Sequence, residues 1–167
     1  MIYLDGAYRQ HRPEDVKHFT ELAIDAFPEF AGRIECFGAD WMGRQFATDK
    51  ARIFAGVPQV LMLEPGTGEA LEIPVDVRAF HEEELVQEAD AAAAYSFFKQ
   101  WLATGGTTPE YDECVGYEKP LYLGGEDTVA NLELVDFDVY WTISAQLLAQ
   151  VRGLPVGMRI GGLSISD

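Results

Sequence analysis

The sequence predicts an α+β domain: a largely antiparallel sheet with helices packed on it. Three observations carry that prediction. Apolar residues recur at helical spacing in three separate segments, and between those segments short apolar runs are divided by glycine-rich turns. The strand-like runs come in consecutive pairs with tight connections, so hairpins outnumber strand-helix-strand crossovers and the sheet should be antiparallel. A chain of 167 residues with 48% hydrophobic and 12% aromatic side chains also has enough apolar surface for one core, so residues 1–167 read as one domain. Within it, residues 1–33 form an N-terminal segment and helix, and residues 34–167 form a sheet-and-helix body.

Each element has a local reason. The first ten residues include Ile2, Tyr3, Leu4 and Tyr8 without a clear period, and no element is assigned there. Pro13, Glu14 and Asp15 suit a helix start, because proline lacks only an N–H that is unpaired there anyway and early carboxylates complement the positive end of the helix dipole. The helix runs to about Phe27 and turns Val16, Phe19, Leu22, Ala23 and Phe27 inward, before Pro28 and Gly32 close it. Ile34, Cys36 and Phe37 then read as a strand, Gly38 to Gly43 as a turn with Trp41 as a core plug, and Gln45 to Thr48 as the partner strand.

Val60 to Glu64 and Ala70 to Pro74 flank the reversal Pro65-Gly66-Thr67-Gly68 and form a second hairpin. Phe80 to Thr104 is a long helical region with a break expected near Gln87 to Asp90, where its apolar stripe loses register. Pro120 to Leu123, the Gly124-Gly125 turn and Asn131 to Val135 predict strand, turn and strand. Asp136 then caps a helix through Val151, which Gly153 and Pro155 stop. Met158 to Ile165 reads as an edge strand or a docked extension.

Charge is the most unusual global property. With 28 acidic and 12 basic side chains the net charge is −16, which repels nucleic acid and anionic membranes and accelerates encounter with a basic protein. Between Glu110 and Asp138 nine carboxylates face the single base Lys119, a concentration beyond what solubility needs. No apolar run approaches the roughly 20 residues of a membrane-spanning helix and the N-terminus lacks a secretion-signal pattern, so the expected location is the cytoplasm. Cys36 and Cys114 lie far apart and should be buried and reduced.

Catalytic and metal motifs fail on inspection. His81-Glu82 opens like a zinc-binding HExxH, but Leu85 stands where the second histidine belongs. His11 and His18 have no matching carboxylate and read as surface histidines, and Gly66-Thr67-Gly68 lacks the lysine and spacing of a phosphate loop. No pair among the abundant carboxylates is singled out for acid–base work. The expectation is a protein that is not an enzyme and uses no cofactor and no metal.

Three stretches do form a set: FGADWMGRQFATD from Phe37 to Asp49, LEIPVDVRAFHEEELVQEADAAAAYSFFKQW from Leu71 to Trp101, and CVGYEKPLYLGGEDTVANLELVDFDVYWTISAQLL from Cys114. Together they resemble the C-terminal domain of bacterial type VI secretion immunity proteins, which neutralise DNase toxins delivered between competing cells. That family looks related in architecture to SUKH-type immunity domains, which implies a SUKH-like α+β fold. The resemblance implies that the chain binds a cognate basic toxin, a nuclease, in the cytoplasm and blocks it. The contact residues it suggests are Asp40, Trp41 and Arg44 in the first stretch, Glu82, Glu83 and Glu84 in the second, and Glu126 and Asp127 after the glycine turn. The alternatives are a SUKH-like interaction or regulatory module without a toxin partner, and a hydrolase with an unrecognised carboxylate site.

Overall fold

The computed structural model describes residues 1–155, 157–158 and 161–166. Six strands follow one another in chain order as an antiparallel sheet: β1 (Ile2–Tyr3), β2 (Tyr8–Gln10), β3 (Ile34–Asp40), β4 (Gln45–Phe54), β5 (Val57–Glu64) and β6 (Glu69–Ile73). A separate antiparallel ribbon pairs β7 (Glu113–Tyr117) with β8 (Leu132–Asp136). Helix α1 (Val16–Ala26) lies between β2 and β3. The segment after β6 is broken into α2 (Val77–Ala79), a π-helical turn (Phe80–Glu84), α3 (Leu85–Gln87), α4 (Ala89–Ala93) and α5 (Tyr95–Ala103), and α6 (Phe137–Val151) follows β8 directly.

Within the body of the sheet the two longest strands, β4 and β5, are buried on both faces. Successive residues of a strand point to opposite sides, so Leu61 and Leu63 meet Phe19, Ala23, Phe27, Phe137 and Trp141 of the α1–α6 layer. Val60 and Met62 instead meet Tyr8, Phe46, Phe80, Leu85 and Ala92 on the other side. That is why β5 reads as a continuous apolar run. A third cluster, Trp41, Met42, Phe98, Val115, Tyr117 and Leu132, binds the small ribbon to the end of the large sheet.

The β3–β4 turn ties these layers together. Asp40 has no exposed surface, and its Oδ1 accepts the backbone N–H groups of Met42 and Arg44 at 3.0 Å each. Its Oδ2 meets Arg44 Nε at 2.5 Å. Burial opposes the charge on Arg44, but the Asp40 carboxylate more than restores it, and the guanidinium titrates above its ordinary range. The turn held this way offers its backbone outward: the Trp141 indole N–H donates to Gly43 O at 2.9 Å, and Val115 N–H donates to Trp41 O at 2.7 Å. Trp41 itself donates through its backbone N–H to Ala7 O at 2.8 Å and through its indole to Ala93 O at 3.0 Å. One buried turn therefore fixes β2, β7, α4 and α6.

Close packing explains the glycine of the opening motif of the third stretch. A Cβ on Gly116 would stand 2.5 Å from the Tyr140 ring, so any side chain there would push α6 off the ribbon. Asp136 caps α6 as expected, accepting Val139 N–H at 2.9 Å. The expected break is at Glu88 (φ −123°, ψ 42°), and a second one, unannounced by the sequence, is at Ala94 (φ 47°). There Asp90 accepts the Ser96 backbone N–H at 2.6 Å and holds α5 at an angle to α4.

Some expectations are corrected. The partner of β8 is Glu113–Tyr117 rather than Pro120–Leu123, and Leu121–Leu123 forms a 3-10 turn because Gly124 and Gly125 N–H groups bond back to Leu121 and Pro120 carbonyls. β3 runs through Asp40, which shortens the predicted Gly38–Gly43 turn, and β4 extends to Phe54. Helix α1 begins at Val16, after a turn that contains Pro13. His11 is buried rather than at the surface, its ring stacked on Phe19 with centroids 3.9 Å apart. Of the predicted Met158–Ile165 segment, Arg159 and Ile160 lie outside the described residues; Ser164 is docked on α6, exchanging two hydrogen bonds with the Gln150 amide. Cys36 and Cys114 are free and buried, and burial pushes the Cys36 thiol up to about 12.

The turn gives a stability prediction. Asp40→Asn leaves the Arg44 charge buried without its counter-charge, so urea denaturation should show a loss of about 3–5 kcal/mol. The double variant Asp40→Asn/Arg44→Met removes that stranded charge and should lose less than the single one; a single-variant loss under about 1 kcal/mol would contradict the role given to the pair.

Candidate functional site

The N-terminal ends of α1 and α6 meet the start of β7 around a cleft of about 510 Å³, lined by Arg12, Asp15, His18, Phe19, Tyr111, Asp112, Asp136, Phe137 and Asp138. Its floor is aromatic: Phe19 packs edge-on against Phe137 (5.2 Å, 87°) and against Tyr111 (6.1 Å, 81°). Its rim carries four carboxylates. Both helix N-termini present positive dipole ends here, which lowers the cost of crowding those negative charges.

The carboxylates are held in different ways. Tyr111 donates its hydroxyl to Asp15 at 2.9 Å, His18 Nε2 meets Asp138 at 2.8 Å, and Asp136 is engaged in capping α6. Asp112 is exposed and its side chain makes no hydrogen bond among the described residues; its backbone carbonyl accepts Phe137 N–H at 2.9 Å and so fixes its place beside α6. The Arg12 guanidinium lies over the Tyr111 ring at 4.0 Å. Below the floor Arg9 is buried between Tyr111 and Phe137, and burial pulls its pKa below the ordinary range despite nearby Asp40 and Asp112. A negative rim over flat aromatic rings suits a basic side chain, whose cation is drawn by the charges and whose plane can stack on the floor. Among the described residues no group of three or more His, Cys, Asp or Glu side chains is arranged to hold a metal ion.

The sequence-predicted contact residues lie on three different elements. Asp40, Trp41 and Arg44 do come together, but inside the β3–β4 turn: Asp40 and Trp41 have no exposed surface and Arg44 almost none, so they shape the fold beneath any partner. Glu82 and Glu83 are exposed on the π-helical turn, Glu82 paired with Arg78 at 2.9 Å, and Glu84 is half-buried. Glu126 and Asp127 are exposed on the loop before β8, where Asp127 accepts the Tyr117 hydroxyl at 2.6 Å. The cleft carboxylates Asp15, Asp112, Asp136 and Asp138 were not among those candidates. Their signal was present in the acid-rich run from Glu110 to Asp138, but Asp15 lies far from it in sequence and joins it through the α1–α6 contact and the Tyr111 hydroxyl.

The stretch from α2 to the last turn of α6, which supplies the β7 and α6 side of the cleft, matches a family model. Residues 77–148 match the family model described as T6SS immunity protein Tdi1, C-terminal. That stretch of the chain is therefore similar to the C-terminal part of type VI secretion immunity proteins. It takes in β7, β8 and the Asp112, Asp136 and Asp138 side of the cleft, while α1 and the β3–β4 turn lie outside it. Among solved structures, the crystal structure of Atu4351 from Agrobacterium tumefaciens has the same fold, with a TM-score of 0.56 at 16% identity over 87% of this chain and 69% of that one. No curated protein matches the chain.

His11 lies under the cleft floor, stacked on Phe19, and gives the fold a pH dependence. Burial pulls its pKa down to about 3, the ring stacks on Phe19, and Nε2 bonds to Gln45 Oε1 at 3.2 Å. In the unfolded chain the same imidazole takes up a proton below about pH 6.5, whereas in the fold it stays neutral to about pH 3. Stability from this residue is therefore complete above pH 6.5 and is lost as pH falls toward 3, at about 1.4 kcal/mol per pH unit. Urea midpoints at pH 7.5 and pH 5 should fall further apart in the wild type than in His11→Phe, and equal pH dependence in the two would contradict this.

Proposed function

We propose that residues 1–167 act as one SUKH-like immunity domain that binds a cognate secreted toxin, a basic DNase, in the cytoplasm and blocks it without catalysis. The observation that carries this reading is the carboxylate-rimmed, aromatic-floored cleft in a chain of net charge −16. A nuclease must present cations to the phosphate backbone of its substrate, so an acidic inhibitor competes for the same surface. The charge also favours fast encounter, which matters when a delivered toxin must be neutralised before it acts. Exposed Glu82, Glu83, Glu126 and Asp127 extend the negative surface beyond the cleft, and among the described residues no helix is long and apolar enough to cross a membrane.

Co-expression of the chain with a candidate toxin encoded beside its gene should restore survival of a sensitive strain, and the purified chain should suppress DNA cleavage by that candidate. Asp112→Lys/Asp138→Lys should slow association by about tenfold or more at low salt, with the difference shrinking near 1 M salt, where the Debye length is about 3 Å. Survival without the chain's help, or an association rate untouched by the two substitutions, would count against the reading.

A further inference from the structure

The β4–β5 hairpin is longer than the sheet that supports it. β3 pairs with β4 only as far as Ile34–Asp49, and β6 pairs with β5 only from Val60–Ile73. Between those limits the two strands pair with each other alone, Ile53 with Pro58 and Phe54 with Val57. The last pair inside the sheet is Asp49 with Gln59, so at about 3.3 Å per residue the arm reaches roughly 10 Å beyond it. It turns through Ala55 and Gly56, both left-handed (φ 50° and 82°), the geometry of a tight two-residue hairpin loop.

The root of the arm is fixed. Arg33 grips the buried Asp49 carboxylate with two hydrogen bonds, at 2.9 and 2.5 Å, and Asp49 accepts Ala51 N–H at 3.0 Å where the pairing register shifts. Arg52 reaches across to Val60 O at 2.8 Å and pairs with Glu72 at 3.4 Å. Both arginines at the root are thus neutralised by carboxylates, and the arm leaves the body at a set angle.

Its tip is apolar and open to water: Phe54 is 73% exposed, Ile53 54% and Val57 44%. The chain has ten phenylalanines, seven tyrosines and three tryptophans, and Phe54 alone among them is exposed. From Lys50 to Leu63 there is no carboxylate, in a chain with 28 acidic side chains. An uncharged, aromatic tip on a strongly acidic body has the composition of an interface anchor.

We propose that the β4–β5 arm is the apolar anchor of the toxin complex, with Phe54 and Val57 on one face of the ribbon and Ile53 on the other entering an apolar socket on a protein whose surrounding surface is basic. The inference rests on the proposed toxin-binding function and adds a second contact to it, outside the region that matches the family model. Charge selects the occupant. A second copy of this chain would bring the same net charge of −16 toward the body, whereas a basic partner is attracted by that body while the tip fills its socket. Charge then sets how fast the complex forms, and the arm sets how long it lasts.

The test compares the wild-type chain, Phe54→Ser/Val57→Ser and the control Val86→Ser on the immobilised candidate toxin of the co-expression experiment, with sedimentation velocity of each chain alone. Val86 is 70% exposed but stands on α3, away from the arm. The arm variant should keep its urea midpoint and its association rate, while its dissociation rate rises about tenfold or more and Val86→Ser behaves as wild type. Salt-dependent wild-type binding with an unchanged dissociation rate in the arm variant would overturn the anchor and leave the toxin-binding function standing. No wild-type binding would overturn both, and self-association of the wild type that the arm variant abolishes would assign the tip to a second copy instead.

Discussion

The buried pairing of Asp40 with Arg44 is the constraint on which the rest of the structure depends. A carboxylate and a guanidinium withdrawn from water hold a four-residue turn in one shape, and that shape exposes two backbone carbonyls to the interior. One receives the indole of Trp141 and the other the N–H of Val115, so the C-terminal helix and the small ribbon are both hung on the hairpin of the large sheet. Such a pair is not a strong source of net stability, because desolvation offsets much of the attraction. Its value is in specifying one arrangement: an apolar replacement could fill the volume but would not fix the direction of the carbonyls.

That arrangement positions the cleft. Trp141 docked on Gly43 sets the rotation of α6, which brings Asp136 and Asp138 to the α1 side, where His18, Phe19 and Asp15 meet them. The acidic rim therefore derives from segments far apart in the chain, and only the interior turn puts them together. The surface that follows has two characters, a charged cleft and an apolar arm, suited to different stages of binding: long-range attraction governs encounter, and desolvated aromatic contact governs residence.

Much of the fold was legible in the sequence because its signals are local. Asp136 before an apolar helix, the Pro65–Gly68 reversal and the loss of register near Glu88 each depend on neighbours in the chain, and the structure shows all three. Pro120–Leu123 misled because four apolar residues before two glycines look like a strand, whereas its carbonyls are taken by the glycine N–H groups themselves. His11 gave no sign of burial, since only the packing of β2 against α1 lays Phe19 over it. The motif around Trp41 was conspicuous for a reason other than contact: Asp40, Trp41 and Arg44 are distinctive because the fold needs them inside. The β4–β5 arm escaped attention because Lys50, Ala51 and Arg52 break the strand alternation at the register shift, although Phe-Ala-Gly-Val was a readable turn.

With the interior turn structural and contact proposed at the cleft and the arm, amide hydrogen exchange of the chain with and without the candidate toxin is the most direct test. New protection is expected in residues 110–113, 136–140 and 52–58, with residues 40–45 equally protected in both states. Protection gained at residues 40–45 or on α2 and the π-helical turn, with none at the cleft or the arm, would contradict this assignment.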